Sequence, residues 1–522
     1  MSENEIFDVV VVGGGAAGLS GALALGRSRR RVLVVDAGEP RNAPAGHAHN
    51  YLGREGIPPL ELLRIGRDEV KQYDVEVAAD RVVDVVRGDG GFVVSMESGR
   101  TVTARRVLVT TGVVDRLPDV AGLAERWGRD VLHCPYCHGW EVRDTAIAVL
   151  ASTPMAAHHG LLFRQLSDDV AMVVLDGVEL PSADLERLAA IGVRFEYGTP
   201  AEVVTEGDRL VGLRLADGSV LEREAIVVAS VPVVETSFLQ SLAIEPTPVE
   251  MAGTALGEVI AVDQMGATGV AGVYAAGNVT DVSMTLMAAA AHGNRVGALI
   301  NAHLAAEDAD RAVEARRAEL FERPSWEQRY AGEQVWSGRV NPQLEREAQG
   351  LEPGRALDVG CGEGGDAIWL AGRGWQVTAL DFADGALART TAHAAEAGVG
   401  DRVTTARADL RTWEPGGEVW DLVSSQFVHL PDSGMIDLTR TLASAVAPGG
   451  TLLVVGHHPD DHVTGLRHGH HSFLFTAESL LPALGDDFEV EVCETRRRTA
   501  VHPHSGEEIV VNDAVLRARR RG

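Results

Sequence analysis

Cysteine is scarce: Cys134, Cys137, Cys361 and Cys493 are the only four in 522 residues. That count excludes a disulfide-stapled secreted scaffold of this size. It leaves one close pair, Cys134 and Cys137, whose spacing points to redox or metal chemistry. Positive charge is also short. Asp and Glu outnumber Lys and Arg by 75 to 47, a formal net charge of −28. Such a surface repels nucleic acid and anionic membranes, so neither is expected as a partner. The acidity serves solubility, or favours a basic or neutral partner. No run resembles a membrane span. The apolar stretch from Asp8 to Gly26 could pass for a signal peptide, but glutamates 3 and 5 precede it and glycines interrupt it. The chain therefore reads as cytoplasmic.

What is present is glycine, 58 residues of it, clustered after hydrophobic runs as nucleotide-binding loops require. The length allows about three domains. Phe7 to Val12 reads as a buried parallel strand feeding Gly13-Gly14-Gly15-Ala16-Ala17-Gly18 and an Ala- and Leu-rich helix to about Gly26. The strand Val32 to Val35 then ends on Asp36. Further strands are expected at Arg106 to Thr111, Ala146 to Leu150, Val170 to Leu175 and Ala225 to Ala229. The pattern starts afresh at Arg355 to Val359. Between the two halves, the charged, Ala-rich stretch Ala305 to Pro324 reads as a solvated linker helix.

Gly13, Gly15 and Gly18 match GxGxxG in the required setting: after a strand, opening a helix, with Asp36 ending the next strand. The glycines admit a pyrophosphate to the backbone and the helix N-terminus faces its charge. Asp36 is placed to accept hydrogen bonds from ribose hydroxyls. Val107 to Gly112 and Gly272 to Asn278 (GVYAAGN) resemble the strand-plus-TG and late GVxAAGD elements of the low-molecular-weight thioredoxin reductase family. The resemblance covers about residues 6 to 304 and implies FAD, approached by Gly112, Gly277 and Asn278. Asn278 replaces the family's usual aspartate but can still bond a ribityl hydroxyl. His47 and His49 precede Asn50-Tyr51-Leu52-Gly53, in the position of the family's segment beside the isoalloxazine. That implies a cofactor contact for Asn50; either histidine is a flavin-site residue or a solvated one.

His133-Cys134-Pro135-Tyr136-Cys137-His138 lies where this family carries its redox CxxC. By the resemblance, Cys137 is the sulfur nearest the flavin and Cys134 exchanges with substrate. His138 stands where the family has an acid, and is placed to shuttle the thiol proton. His133 is as readily a packed residue as a catalytic one. Zinc would need a second ligand pair, and Cys361 and Cys493 lie far off without paired spacing.

The family's second dinucleotide loop is degraded. After the strand Ile147 to Leu150 comes Ala151-Ser152-Thr153-Pro154-Met155-Ala156. Side chains replace the leading glycines, Pro154 removes a donor, Asp176 would repel a 2′-phosphate, and the HRRxxxR cluster is missing. NADPH is expected to bind poorly or not at all. This combination resembles two subgroups: oxygen-dependent dithiol oxidases of gliotoxin- and holomycin-type biosynthesis, and thioredoxin-reductase-like flavoproteins using electron sources other than NADPH.

Ala356-Leu357-Asp358-Val359-Gly360-Cys361-Gly362-Glu363-Gly364 matches the class I S-adenosylmethionine methyltransferase signature. The resemblance covers about residues 325 to 520. Asp358 is expected at the cofactor's amino group, Gly360 and Gly362 at its methionine part, Asp381 at its ribose and Asp409 at its adenine. Trp326, Tyr330 and Trp336 resemble an aromatic cap, with core packing as the alternative. His429, His457 and His458 follow strand ends, where acceptors bind. His468, His470 and His471 read as a metal cluster or, more simply, a polar loop. Cys361 is expected to be structural.

The expected fold class is α/β: a two-dinucleotide-binding-domain flavoprotein, in which an FAD domain (1–117 and 238–304) carries an inserted NAD(P)-like domain (118–237) with the redox CxxC. A linker (305–324) and a Rossmann-like class I methyltransferase domain (325–522) follow. The expected function is bifunctional: FAD-dependent dithiol/disulfide exchange plus S-adenosylmethionine-dependent methylation, on a small-molecule thiol. The partner is a small dithiol or a thioredoxin-like protein, and the flavoprotein part leaves room for a homodimer. The alternatives are an NAD(P)H-dependent thioredoxin reductase fused to an unrelated methyltransferase, and a flavin redox sensor that regulates methylation.

Overall fold

A computed structural model describes all residues except 1–4, 154–155, 252–253, 333, 432, 465–472 and 502–507. Two compact units divide the chain, Met1–Ala309 and Asp310–Gly522. Each is described by itself.

The first unit is built on β-branched runs that must be buried on both faces. Strand Ile6–Val12 pairs in parallel with Val32–Asp36 on one side and Thr101–Val109 on the other. Val9, Val10 and Val11 are fully buried, each contributing about 1.5–3 kcal/mol by removal from water. Strand Thr101–Val109 begins earlier than the sequence pattern suggests, because its first half is also paired: Thr101 to Ala104 runs antiparallel to Gly91–Met96, and Val107 to Val109 runs parallel to Val273–Ala275. Helix Ala16–Arg27 covers one face, burying Leu19, Ala22 and Leu25.

A second, all-parallel sheet holds Arg194–Tyr197, Val170–Val174, Ile147–Ala151, Ala225–Val228 and Val131–Leu132 in that spatial order. Its edge strand Val131–Leu132 delivers the chain directly to Cys134. The crossings between the two sheets run through an antiparallel pair, Val114–Arg116 against Val231–Val233.

In the second unit, five parallel strands lie in the order Val403–Arg407, Gln376–Asp381, Arg355–Val359, Trp420–Gln426, Val446–His457. Glu508–Arg520 and Phe488–Val501 extend the sheet antiparallel. Strands Arg355–Val359 and Gln376–Asp381 put Asp358 and Asp381 at their carboxyl ends, beside the loop through Gly360, Gly362 and Gly364. Helix Leu286–Phe321 contains the boundary between the two units, within the stretch read from sequence as a linker.

Among the described residues, no helix is long and apolar enough to cross a membrane.

Candidate functional sites: a glycine-lined cavity at a cysteine pair, and a buried carboxylate loop

One cavity of about 500 Å³ runs from Gly13, Gly14 and Gly15 past Asp36, Thr110 and Gly112 to Asn278, Cys134 and Cys137. Gly13 has φ +103°, and a Cβ there would lie 2.6 Å from the Thr110 carbonyl oxygen. A Cβ on Gly18 would drive into the Gly13 carbonyl, so this glycine serves helix–strand packing. A Cβ on Gly15 would meet nothing within 4 Å: the backbone there faces open cavity, as a dinucleotide-binding turn requires. Asp36 accepts from Gly14 N–H (3.2 Å) and pairs with Arg67 (2.8 Å), fixing the turn. Gly112 also opens on free space. Gly277 N–H donates to His292 Nδ1 at 3.2 Å, and Asn278 Nδ2 donates to the Met284 carbonyl at 2.9 Å. Asn50 is left-handed at φ +58°, a conformation asparagine tolerates, and its N–H donates to Glu55 (2.9 Å).

Cys134 stands just before the short helix Pro135–His138, and its Sγ lies 2.6 Å from that of Cys137. The hydrogen bond from Cys137, with backbone N–H groups behind it, outweighs burial and lowers the Cys134 thiol to about 7. The same bond and burial push Cys137 up. Thiolate character therefore gathers on Cys134, the reactive form of the pair.

No sequence motif announced the charged group that acts on both sulfurs, Arg41. Arg41 grips Asp115 bidentately (2.6 and 2.7 Å), and Ser230 donates to the same carboxylate (2.6 Å). Burial works to raise Asp115, but Arg41 wins and holds it below the usual carboxylate range. Burial, seconded by Arg41, lowers His133, which therefore stays neutral. Its ring packs edge-on against His159 (5.3 Å between centroids), a residue that sequence reading passed over. Burial and the neighbouring histidines lower His159 to about 4.

His138 is also lowered, chiefly by burial, and its Nε2 has no hydrogen-bond partner. His49 sits 6.2 Å from it, ring to ring. His47 and His49 both line the cavity.

In the parallel sheet behind, strand Ile147–Ala151 ends in side chains where a phosphate-binding turn would have glycine. Asp176, after Val170–Val174, accepts from the Thr199 hydroxyl. Pro154, also invoked against NADPH, lies outside the described residues.

In the second unit, Asp358 is 2% exposed and its Oδ2 has no partner. Burial, then the charges of Asp366 and Asp381, raise it well above the carboxylate range; burial raises Asp366 to about 6. A buried acid that meets the Ala367 N–H but leaves its Oδ2 unpaired fits a ligand that brings a cationic amine. Asp381 accepts from Gly362 N–H and Ala383 N–H, both 3.0 Å, bracing the glycine loop. Gly360 has φ +73°. The aromatics predicted as a cap do face this loop: a Cβ on Gly362 would lie 3.0 Å from Trp336 Nε1 and 3.3 Å from Tyr330 Oη. Trp336 Nε1–H donates to Tyr330 (3.0 Å), and Glu363 holds the segment by accepting from Val335 and Trp336 N–H (3.0 Å each) while paired to Arg389. Asp409 is engaged by Arg411 (2.7 Å).

His429 is pinned at both ring nitrogens, Nδ1 to the Phe473 carbonyl (2.5 Å) and Nε2 to His457 N–H (3.3 Å). It is thereby a packing element against His457 and Phe475. His458 Nδ1 accepts from Asp460 N–H (3.2 Å). His468, His470 and His471 lie outside the described residues. Cys361 is buried, its Sγ 3.7 Å from Thr390 Oγ1.

Residues 7–293 match the family described as pyridine nucleotide-disulphide oxidoreductase, and residues 356–450 match a methyltransferase domain. The thioredoxin reductase sirT of Leptosphaeria maculans is 34% identical over 291 residues, 52% of this chain and 86% of that protein. The thioredoxin reductase of Listeria innocua serovar 6a is 26% identical over 330 residues, 61% of this chain and 99% of that one. Among solved structures, HlmI shares 42% identity at a TM-score of 0.55, covering 60% of this chain and 97% of HlmI.

Proposed function

Because the chain belongs to the pyridine nucleotide-disulphide oxidoreductase family, as a thioredoxin reductase-like oxidoreductase fused to a methyltransferase domain, we propose that it oxidises a small dithiol through Cys134 and Cys137 and methylates a small thiol. The family implies a flavin and the second domain suggests S-adenosylmethionine. FAD would be held by Gly13, Gly15, Gly18, Asp36, Asn50, Gly112, Gly277 and Asn278, and would carry the electron pair from the cysteines to oxygen. Domain limits of 1–117 with 238–304, 118–237 and 325–522 belong to the same reading, as do a homodimer through the flavoprotein part and a cytoplasmic setting.

The exchange is balanced on this chain's own atoms. A substrate thiolate attacks Sγ of Cys134 in the Cys134–Cys137 disulfide, and Cys137 leaves. The second substrate sulfur then displaces Cys134. The substrate's two S–H bonds are replaced by one S–S bond; two electrons and two protons pass to the cysteine pair. His138, neutral and beside Cys137, takes or returns the thiol proton. In the second unit Asp358, Gly360, Gly362, Asp381 and Asp409 would hold S-adenosylmethionine, which supplies an electrophilic methyl group. A thiolate needs little base assistance to accept it, which fits a site whose His429 is already pinned.

The direction of flow rests on one observation: Ala151-Ser152-Thr153 in place of a glycine turn, with no arginine cluster beyond it. The relatives named thioredoxin reductases favour the opposite flow. Anaerobic titration of the FAD-loaded chain decides. Dithiothreitol should bleach the flavin and NADPH should not; rapid stoichiometric bleaching by NADPH would overturn the oxidase reading. A panel of thiols, alcohols and amines, assayed for methyl transfer, tests the acceptor class.

A further inference from the structure

A second concavity, of about 330 Å³, lies against the segment that carries the cysteine pair. Pro135 and Tyr136, the two residues between the cysteines, form one wall; His49 and Asn50 line both this cleft and the larger cavity. Its position is therefore that of an approach to the redox centre. Its volume is near the lower end for small-molecule sites, about 300–1,000 Å³. A folded protein partner would instead use about 800 Å² of surface on each side.

The lining is aromatic and acidic. Tyr136 and Trp140 are 64% and 65% exposed, two large rings held at the surface beside a reactive centre. Arg143 lies over Trp140, 4.3 Å from its centroid, and its Nη1 donates to the Trp140 carbonyl, bracing that residue. Glu55 and Glu141 line the cleft, and no Lys or Arg does. His49 stands between them, Nδ1 2.7 Å from Glu55 and Nε2 3.3 Å from Glu141. Two carboxylates share one imidazole, and the guanidinium beside the cleft, Arg143 on the Trp140 ring, offsets only one of them, so with His49 neutral the formal charge is negative. A negative, partly enclosed surface draws cations and repels anions, and the exposed rings of Tyr136 and Trp140, the latter already meeting Arg143 on one face, offer a planar guest a stacking surface.

We infer that this cleft seats the reducing substrate and selects a small aromatic dithiol carrying a positive charge over one carrying a negative charge. The inference rests on the reading of Cys134–Cys137 as the exchange pair, and it names the class of molecule that pair serves.

The test uses the full FAD-loaded chain under anaerobic conditions, reading flavin bleaching. The probes are 1,2-bis(mercaptomethyl)benzene bearing an aminomethyl group and the same scaffold bearing a carboxymethyl group, with dithiothreitol as reference. The ammonium probe should react at least tenfold faster than the carboxylate probe, and the ratio should shrink as salt is raised, as screening requires. Glu55→Gln combined with Glu141→Gln should bring the ratio towards one. Trp140→Ala should lower the rate for the ammonium probe relative to dithiothreitol. If dithiothreitol does not bleach the wild-type flavin, the exchange-pair reading itself fails. If dithiothreitol bleaches it while the two aromatic probes react alike, or the carboxylate reacts faster, only the cleft inference falls. Reduced thioredoxin outpacing every small dithiol would overturn it as well. The wild-type comparison stands even where a variant fails to fold.

Discussion

At the residue scale, the two cysteines are distinguished by their surroundings rather than by their spacing. Cys134 gains the hydrogen bond of Cys137 and nearby backbone N–H groups; Cys137 loses by the same contact. Alkylation of the reduced chain should therefore occur first at Cys134. Its rate should climb as pH rises through about 7 and level off above, whereas an ordinary thiol keeps climbing to about 8.5; peptide mapping against pH checks both points. Cys137→Ser should abolish flavin bleaching by dithiols. Cys134→Ser should leave a Cys137 thiolate beside the flavin, seen as a long-wavelength charge-transfer band; a band in the opposite variant would reverse the assignment. The glycines divide as sharply. Gly15→Val adds bulk only to the cavity, so the chain should fold and lose FAD. Gly18→Val strikes the Gly13 carbonyl and should cost folding itself. Flavin content and circular dichroism of the two variants separate these outcomes.

At the element scale, motifs closed within a few residues were legible: both glycine turns, the acids that end the following strands and the CxxC. Each is fixed by the geometry of one strand-to-helix passage. What the sequence concealed depends on distant pieces of chain meeting. Arg41 and Asp115 are 74 residues apart, and nothing near either predicts the other. The early start of Thr101–Val109 follows from a second partner strand, which local pattern cannot reveal. The Arg41–Asp115 contact joins the loop after Val32–Asp36 to the antiparallel crossing, so its loss should be felt as stability. Asp115→Asn should cost about 1–3 kcal/mol, read from urea midpoints. Asp115 is held below its ordinary pKa by Arg41. Its contribution is thus full above the unfolded value of about 3.9 and is lost as pH falls through the lower native value. The gap between wild type and variant should close in acid. A gap that widened there would contradict the pairing.

At the scale of the whole molecule, the apolar clusters divide between the two units: Leu357, Leu380, Val423 and Leu452 belong to one core, Val10, Leu33, Phe92 and Val107 to another. S-adenosylmethionine should therefore stabilise only the second unit. At a hundredfold excess over its dissociation constant it adds about 2.7 kcal/mol, which for a unit of this size raises the midpoint by roughly 5–11 °C. Scanning calorimetry should show one transition move with this cofactor and the other stay. A common shift of both would mean that the units unfold together. With oxygen as electron acceptor, every turnover of the first unit releases a molecule of hydrogen peroxide in the company of the second. The methyltransferase glycine loop contains a thiol, Cys361, at its centre. Burial keeps that thiol protonated and closed to solvent, and peroxide attacks thiolates. Under the oxidase reading, the packing around Cys361 would act as a shield, keeping peroxide made by the first unit from oxidising the glycine loop of the second.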